Sequence, residues 1–358
     1  MIDIHAVVRE DLERQVQHTL GYRVLEWSAL SGGGNNRLFR LETDGPALVA
    51  KIYRRSAWLD DLFRRSGGDA LTREFGVLSL LHQHDIRDAP RPYVRSDIHS
   101  YGVYSYEPGA TRDPSELHTD EIRALAAFAS ALHSLSPDEA GDDLPPALDA
   151  GFSLAEHIAT IRERLKWPTQ HTTEPPSGEA TDDALRSLLA EKDIPAEVER
   201  LIAAATVGLS PEEITTPLPR SSWRLTSGDF CVFNLLVADK RVTVVDWEWA
   251  GWDDPAKLVM GFVAHAGSEG LSPALADTFV ETYAIARGLF PAERNRFQRV
   301  ALLLEAFWLA ALPWALMPET IAARRFAVAD FDEQAHVAGI TTRVRNRLAR
   351  TSMMYPQL

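Results

Sequence analysis

The chain has 358 residues, 45% of them hydrophobic and 25% charged, which suits a globular protein of two lobes or domains. A formal net charge of −14 runs against the clustered Lys and Arg that broad nucleic-acid binding needs, so no nucleic-acid partner is expected. The single cysteine, Cys231, excludes a disulfide framework and an all-cysteine metal site.

The first residues, MIDIHAVVREDLERQ, have neither a cationic flank nor an apolar core, so no signal peptide is expected and a reducing, cytoplasmic setting is. Residues 23–54 read as three strands, RVLEWSAL, NRLFRLET and ALVAKIYR, separated by Ser31-Gly32-Gly33-Gly34 and by the turn Asp44-Gly45-Pro46. Residues 69–83 then place Leu71, Phe75, Leu78 and Leu81 at helical spacing. Two more strand-like pieces end at Pro108-Gly109. The expectation is a β-rich N-lobe over 1–106, with five strands and one long helix, and a larger, mainly helical C-lobe over 107–358.

Within the C-lobe, 120–135 predicts a helix with Ile122, Leu125, Phe128, Ala129 and Leu132 on one face. The polar stretch 168–183 reads as an exposed loop, and two helical stretches follow it. Residues 272–350 read as helices. The longest apolar run, 301–317, carries a Glu and a Pro and is shorter than a bilayer crossing, so a buried helix rather than a membrane span is expected.

The chemistry concentrates in SGDFCVFNLLVADKRVTVVDWEW, residues 227–249. Two apolar runs hinged on Asp239-Lys240 predict a β-hairpin, whose folding brings Asp229, Asn234 and Asp246 together. Asp229 enters an apolar neighbourhood, as a fixed general base for a hydroxyl must. Asn234 and Asp246 offer hard oxygen donors suited to Mg²⁺. Upstream, Gly32, Gly33 and Gly34 lie between strands, where free backbone N–H groups can cradle phosphate. This is not a Walker A loop, because no Gly-Lys-Ser/Thr follows. Lys51 in an apolar strand needs a partner, and Glu74 on the following helix is the candidate. A strand Lys held by a helix Glu and aimed at ATP phosphates is a kinase device. The competing reading has Lys51 snorkelling from an edge strand beside a solvated Glu74.

These motifs resemble the aminoglycoside phosphotransferase and choline kinase superfamily, with its protein-kinase-like fold, from the glycine loop to about residue 260. The segments ASALHSL (129–135) and GWDDPAKL (251–258) share the likeness. The resemblance implies an α+β bilobal kinase-like fold with ATP and Mg²⁺ between the lobes. It makes Asp229 the catalytic base, Asn234 and Asp246 the metal ligands, Lys51 the phosphate-binding lysine and Glu74 its partner. It also makes Tyr104-Ser105-Tyr106-Glu107 the hinge at which backbone groups of Ser105, Tyr106 and Glu107 meet adenine. One departure stands out: the family's usual His two residues before the base is Ser227 here. The implied reaction moves the γ-phosphate of Mg-ATP to a hydroxyl of a small molecule, an aminoglycoside, aminosugar, sugar or amino alcohol. Ser227 motivates a second reading, a nucleotide-binding pseudokinase scaffold. A protein kinase is disfavoured, because neither His-Arg-Asp nor Ala-Pro-Glu occurs in the expected places.

The other residues near Asp246 carry less. Trp247, Trp249, Trp252, Asp253 and Asp254 could bind an ammonium group, but core packing and helix capping are the expected roles for the aspartates. Glu248 stays open between metal, substrate and neither. His133 and His265 lack metal-ligand spacing and are expected to be structural. Cys231 is expected to pack rather than react.

Overall fold

The computed structural model describes residues 6–30, 34–55, 63, 67–140, 144–171, 179–190, 193–239 and 241–354. Strands β1 (Val24–Leu30), β2 (Arg37–Thr43), β3 (Leu48–Ile52), β4 (Pro92–Ser96) and β5 (Tyr101–Ser105) form one antiparallel sheet in the order β1-β2-β3-β5-β4. Period-two alternation buries Phe39 and Leu41 of β2 with Leu48 and Ala50 of β3. Helix α1 (Ala6–Leu20) closes this face with Leu12 and Val16, a second helix beside the one expected in the lobe.

The strand order puts β3 in the interior, with Lys51 opposite Leu38 of β2 on one side and Gly102 of β5 on the other. Lys51 therefore has no edge from which to snorkel. Alternation turns its side chain away from the Leu48 and Ala50 face, towards α2 (Ala70–Gln83). Asp69 caps α2, its Oδ1 accepting from the Thr72 N–H at 2.8 Å. The stripe of α2 buries Leu71, Leu78 and Leu81 as expected, whereas Phe75 is only half-buried and Glu74 takes a place on the buried face.

The longer helices of the remaining chain are α3 (Thr119–Leu132), α4 (Leu154–His171), α5 (Glu179–Ala190), α6 (Asp193–Thr206), α7 (Pro255–Ala264), α8 (Pro273–Arg287), α9 (Pro291–Ala311), α10 (Pro318–Ala327) and α11 (Glu333–Met354). Between α6 and α7 lie two ribbons, β6 (Arg224–Thr226) with β9 (Gly251–Asp253) and β7 (Leu235–Ala238) with β8 (Arg241–Val244). One continuous core joins α2, α3, both ribbons and the helices α7 to α9.

Two expectations are corrected. The polar stretch 168–183 is not one loop, since α4 runs to His171 and α5 starts at Glu179; residues 172–178 lie outside the described residues. The far end is anchored because Thr181 is buried and bonds Glu333 while Leu185 and Leu188 pack into a second core. The apolar run is also longer than 301–317 suggests. Pro291–Leu316 would reach across a bilayer by length and composition alone. Here it packs against α4, α6 and α7, with Leu303, Leu304, Ala306 and Leu309 in the main core.

Helix α10 reaches back to the sheet. Arg37 Nε of β2 donates to the Phe326 carbonyl at 3.0 Å and its guanidinium lies over the Phe326 ring at 4.2 Å, while Arg54 Nη1 donates to the Glu319 carbonyl at 3.2 Å. Helix α2 depends instead on the apolar residues around Glu74. Leu78→Ala, at a fully buried position, is expected to cost about 2–5 kcal/mol by urea denaturation.

Candidate active site

Helix α2 and the segment after the β7-β8 hairpin converge on the Lys51 ammonium of β3. Its Nζ lies 2.7 Å from Glu74 Oε2, 2.5 Å from Asp246 Oδ1 and 3.4 Å from Glu248 Oε2. Burial pushes the Lys51 pKa down, but Asp246, Glu74 and Glu248 outweigh it and hold the group well above its ordinary value. Glu74 is fixed in turn: its Oε2 accepts from Tyr53 OH at 2.6 Å and its Oε1 from the Trp247 N–H at 3.2 Å. Glu248, two positions beyond Asp246, is held by Asn36 Nδ2 and by Asn35 Nδ2 at 3.2 Å. Burial pushes its carboxyl up to about 7, with Lys51 pulling the other way and Asp246 and Glu74 adding to the rise. Three carboxylates thus surround one ammonium, and the excess negative charge fits a divalent cation.

The hairpin forms as expected, with Leu235 opposite Val244 and Ala238 opposite Arg241. Asp239 turns it in the left-handed region at φ 46°, while Lys240 lies outside the described residues. At the open end the Val245 N–H donates to the Asn234 carbonyl at 2.9 Å, and Asp246 adopts φ 65°, a conformation Asp tolerates. Asn234 Nδ2 donates to Asp229 Oδ2 at 2.9 Å and to the Asp229 carbonyl at 2.8 Å, which leaves the amide oxygen of Asn234 as the atom open to a metal. Asp229, Asn234 and Asp246 line one cavity of about 390 Å³. An amide oxygen plus carboxylates is a hard-oxygen set that fits Mg²⁺.

Asp229 has a further partner that the sequence did not reveal. His265, at the end of α7, places Nε2 2.6 Å from Asp229 Oδ1, and its Nδ1 accepts from the Gly267 N–H at 2.8 Å. That second bond puts the proton of the neutral ring on Nε2, so Nε2 donates to the carboxylate. Desolvation raises the Asp229 carboxyl, but His265, Asn234 and Arg324 together hold it below its ordinary 3.8. Ser227 is fully buried, and among the described residues its Oγ has no hydrogen-bond partner. The imidazole next to the carboxylate therefore comes from an element 36 residues downstream. No local pattern around His265 signals this, because the link is made only by the tertiary fold.

The remaining expected residues divide. Gly34 lines the cavity and its backbone lies against Arg324, so close that a Cβ there would come within 2.4 Å of Nη1. Gly32 and Gly33 lie outside the described residues. Ser105, Tyr106 and Glu107 are not among the residues lining this cavity. The N–H groups of Ser105 and Tyr106 donate to the Arg91 and Ala47 carbonyls, at 2.8 and 3.3 Å, and Ser105 Oγ donates to Glu107 Oε1 at 2.6 Å. Trp247 and Trp252 are core residues. Asp254 caps α7 through the Ala256 N–H at 2.9 Å, and Asp253 pairs with Lys257 at 2.9 Å. Burial pushes the Cys231 thiol well up, so it packs as an uncharged group.

A family model for the phosphotransferase enzyme family, APH, matches residues 26–296. The chain belongs to this family. It is accordingly a small-molecule phosphotransferase. No curated protein matches the chain. Solved structures share its kinase-like fold. Spectinomycin phosphotransferase APH(9)-Ia, in complex with ADP and spectinomycin, superposes with TM-score 0.58 at 13% identity, covering 93% of this chain and 98% of that one. Macrolide 2'-phosphotransferase MphH from Brachybacterium faecium gives 0.53 at 19% identity, covering 92% and 98%. Choline kinase from Cryptosporidium parvum gives 0.57 at 15% identity, covering 93% and 90%.

The phosphotransferase's loop before Asp229 has one strict backbone requirement. Gly228 has φ 79°, and a Cβ there would lie 2.4 Å from the Trp249 carbonyl oxygen. Gly228→Ala is expected to cost at least ~1 kcal/mol in a chemical melt and to reduce turnover by displacing Asp229.

Proposed function

We propose that this phosphotransferase moves the γ-phosphate of Mg-ATP to a hydroxyl of a small molecule, in the cleft between an N-lobe over 1–106 and a C-lobe over 107–358. The observation that carries this reading is the joining of Lys51, Glu74, Asp246 and Glu248 into one network beside a cavity containing Asp229. Lys51 would hold the α/β-phosphates and the backbone of Gly32, Gly33 and Gly34 would cover them. The segment Ser105, Tyr106 and Glu107 would face adenine. Asn234 and Asp246 would hold Mg²⁺, which supplies charge neutralisation for the phosphates when bound. The proposed use of Mg-ATP supports a cytoplasmic setting.

In the step itself, the acceptor hydroxyl oxygen attacks the γ-phosphorus and the bond to the β–γ bridging oxygen breaks. The hydroxyl proton passes to Asp229, and ADP leaves. His265 and Asn234 act on Asp229 as positioning residues, each fixing one carboxylate oxygen. An ionised, doubly anchored Asp229 supports turnover over the scaffold reading that Ser227 suggests.

Asp229→Asn is expected to keep Mg-ATP affinity while slowing phosphoryl transfer by about 10²–10⁴-fold, measured by calorimetry and by single-turnover kinetics; undiminished transfer contradicts the assignment. His265→Gln tests the positioning role. Because His265 holds the Asp229 carboxyl down, its loss raises that pKa, and the acid limb of the kcat/KM profile is expected to move to higher pH. A limb that stays in place makes His265 merely structural.

A further inference from the structure

The walls of the cavity before Asp229 are rich in charge, and most of it cancels. Arg164 bonds Asp149 and lies over Trp314 at 3.7 Å. Lys257 pairs with Asp253, and Lys51, behind the lining Asp246 and Glu248, is enclosed by its carboxylates. Arg324 of α10, on which Asp229 and Asp246 act from beyond ion-pair distance, and Arg343 of α11 remain. Both line the cavity, and among the described residues neither forms an ion pair. The Arg324 Nε is buried without a hydrogen-bond partner. The Arg343 guanidinium sits 5.7 Å over the ring of Phe233, which belongs to the same loop as Asp229.

A guanidinium held away from water with no carboxylate in ion-pair contact leaves its hydrogen-bonding fork unfilled, and that planar fork matches a carboxylate or phosphate. A polyamine in this cavity would set its ammonium groups against both arginines. Trp308, Phe307 and Leu312 supply apolar surface for the body of a ligand. We infer that the acceptor is an anion, a hydroxy compound whose phosphate or carboxylate group is held by Arg324 and Arg343 while its hydroxyl faces Asp229. The placement of that hydroxyl rests on the phosphoryl-transfer reading above. The same two arginines could instead meet the transferable phosphate of ATP, which gives the anion two sources to distinguish.

The full-length protein, saturated with Mg²⁺ and a non-hydrolysable ATP analogue so that the γ-position is filled, is titrated calorimetrically with sugar phosphates, hydroxycarboxylates, neutral sugars and amino alcohols. The same panel is run with Mg-ATP and read by ADP release and by mass of the product. Anionic members are expected to bind and to be phosphorylated, and Arg343→Gln is expected to raise their KM about tenfold or more, as loss of charge-assisted hydrogen bonds does. Arg343→Lys is expected to recover part of that loss, and thermal melts report whether each variant is folded. Turnover confined to neutral or cationic acceptors, binding of none of the anions, or an Arg343→Gln effect confined to the preference for the ATP analogue over ADP overturns the inference. Failure of the underlying reading looks different: neither the analogue nor Mg-ATP binds, and no acceptor yields ADP.

Discussion

The site depends on a single buried ammonium. Lys51 sits on an interior strand of the sheet, so its charge must be met inside the protein. Glu74 meets it from α2, and Asp246 and Glu248 meet it from the segment after the hairpin. One charge thus joins the sheet, the helix behind it and the segment after the β7-β8 hairpin. Removing one partner of such a buried set costs more than its area suggests, because the remaining charges are left without compensation. The three carboxylates exceed what one lysine neutralises, and Asp246 and Glu74 add to the rise that burial gives the Glu248 carboxyl. The proposed divalent ion would relieve this excess.

Around that centre the chain closes the two lobes by contacts of ordinary strength. Asn35 and Asn36, immediately after the glycine loop, bond Glu248. Helix α10 lies against β2 through Arg37 and Phe326, and presents Arg324 to the Gly34 backbone. Asp229, the proposed base, is built differently from the rest. Its carboxylate is clamped by Asn234 from its own loop and by His265 from the end of α7, while Ser227 contributes no bond of its own. A histidine thus sits beside Asp229, supplied by His265 from the end of α7 rather than by the residue two before Asp229. Chemistry constrains where the ring sits in space, and only weakly which residue supplies it.

Much of this was legible in the sequence where the signal was local. Strand alternation over 23–54, the stripe of α2 and the two apolar runs of the hairpin each predict their element, because side-chain period and turn chemistry act over a few residues. The pairing of Lys51 with Glu74 was also legible, since a lysine within an apolar strand demands a carboxylate. His265, Arg324 and Arg343 were not. Each reaches the cavity from a helix remote from Asp229 in sequence, and nothing in the immediate neighbours distinguishes it from a surface or core residue. The polar stretch around Thr181 misled for a related reason: tertiary packing of Leu185 and Leu188 overrides a composition that favours a loop. Glu248 was undecided in the sequence because strand alternation places it on the side of Asp246 without saying what lies opposite.

The central claim is that this cavity holds a metal-bound triphosphate with its terminal group before Asp229. A crystal structure with Mg²⁺ and a non-hydrolysable ATP analogue tests it most directly. The account predicts magnesium at roughly 2.0–2.1 Å from the Asn234 amide oxygen and an Asp246 carboxylate oxygen, Lys51 on the α/β-phosphates, and the terminal phosphate facing Asp229. Magnesium held by other residues, or a terminal phosphate turned away from Asp229, would contradict it.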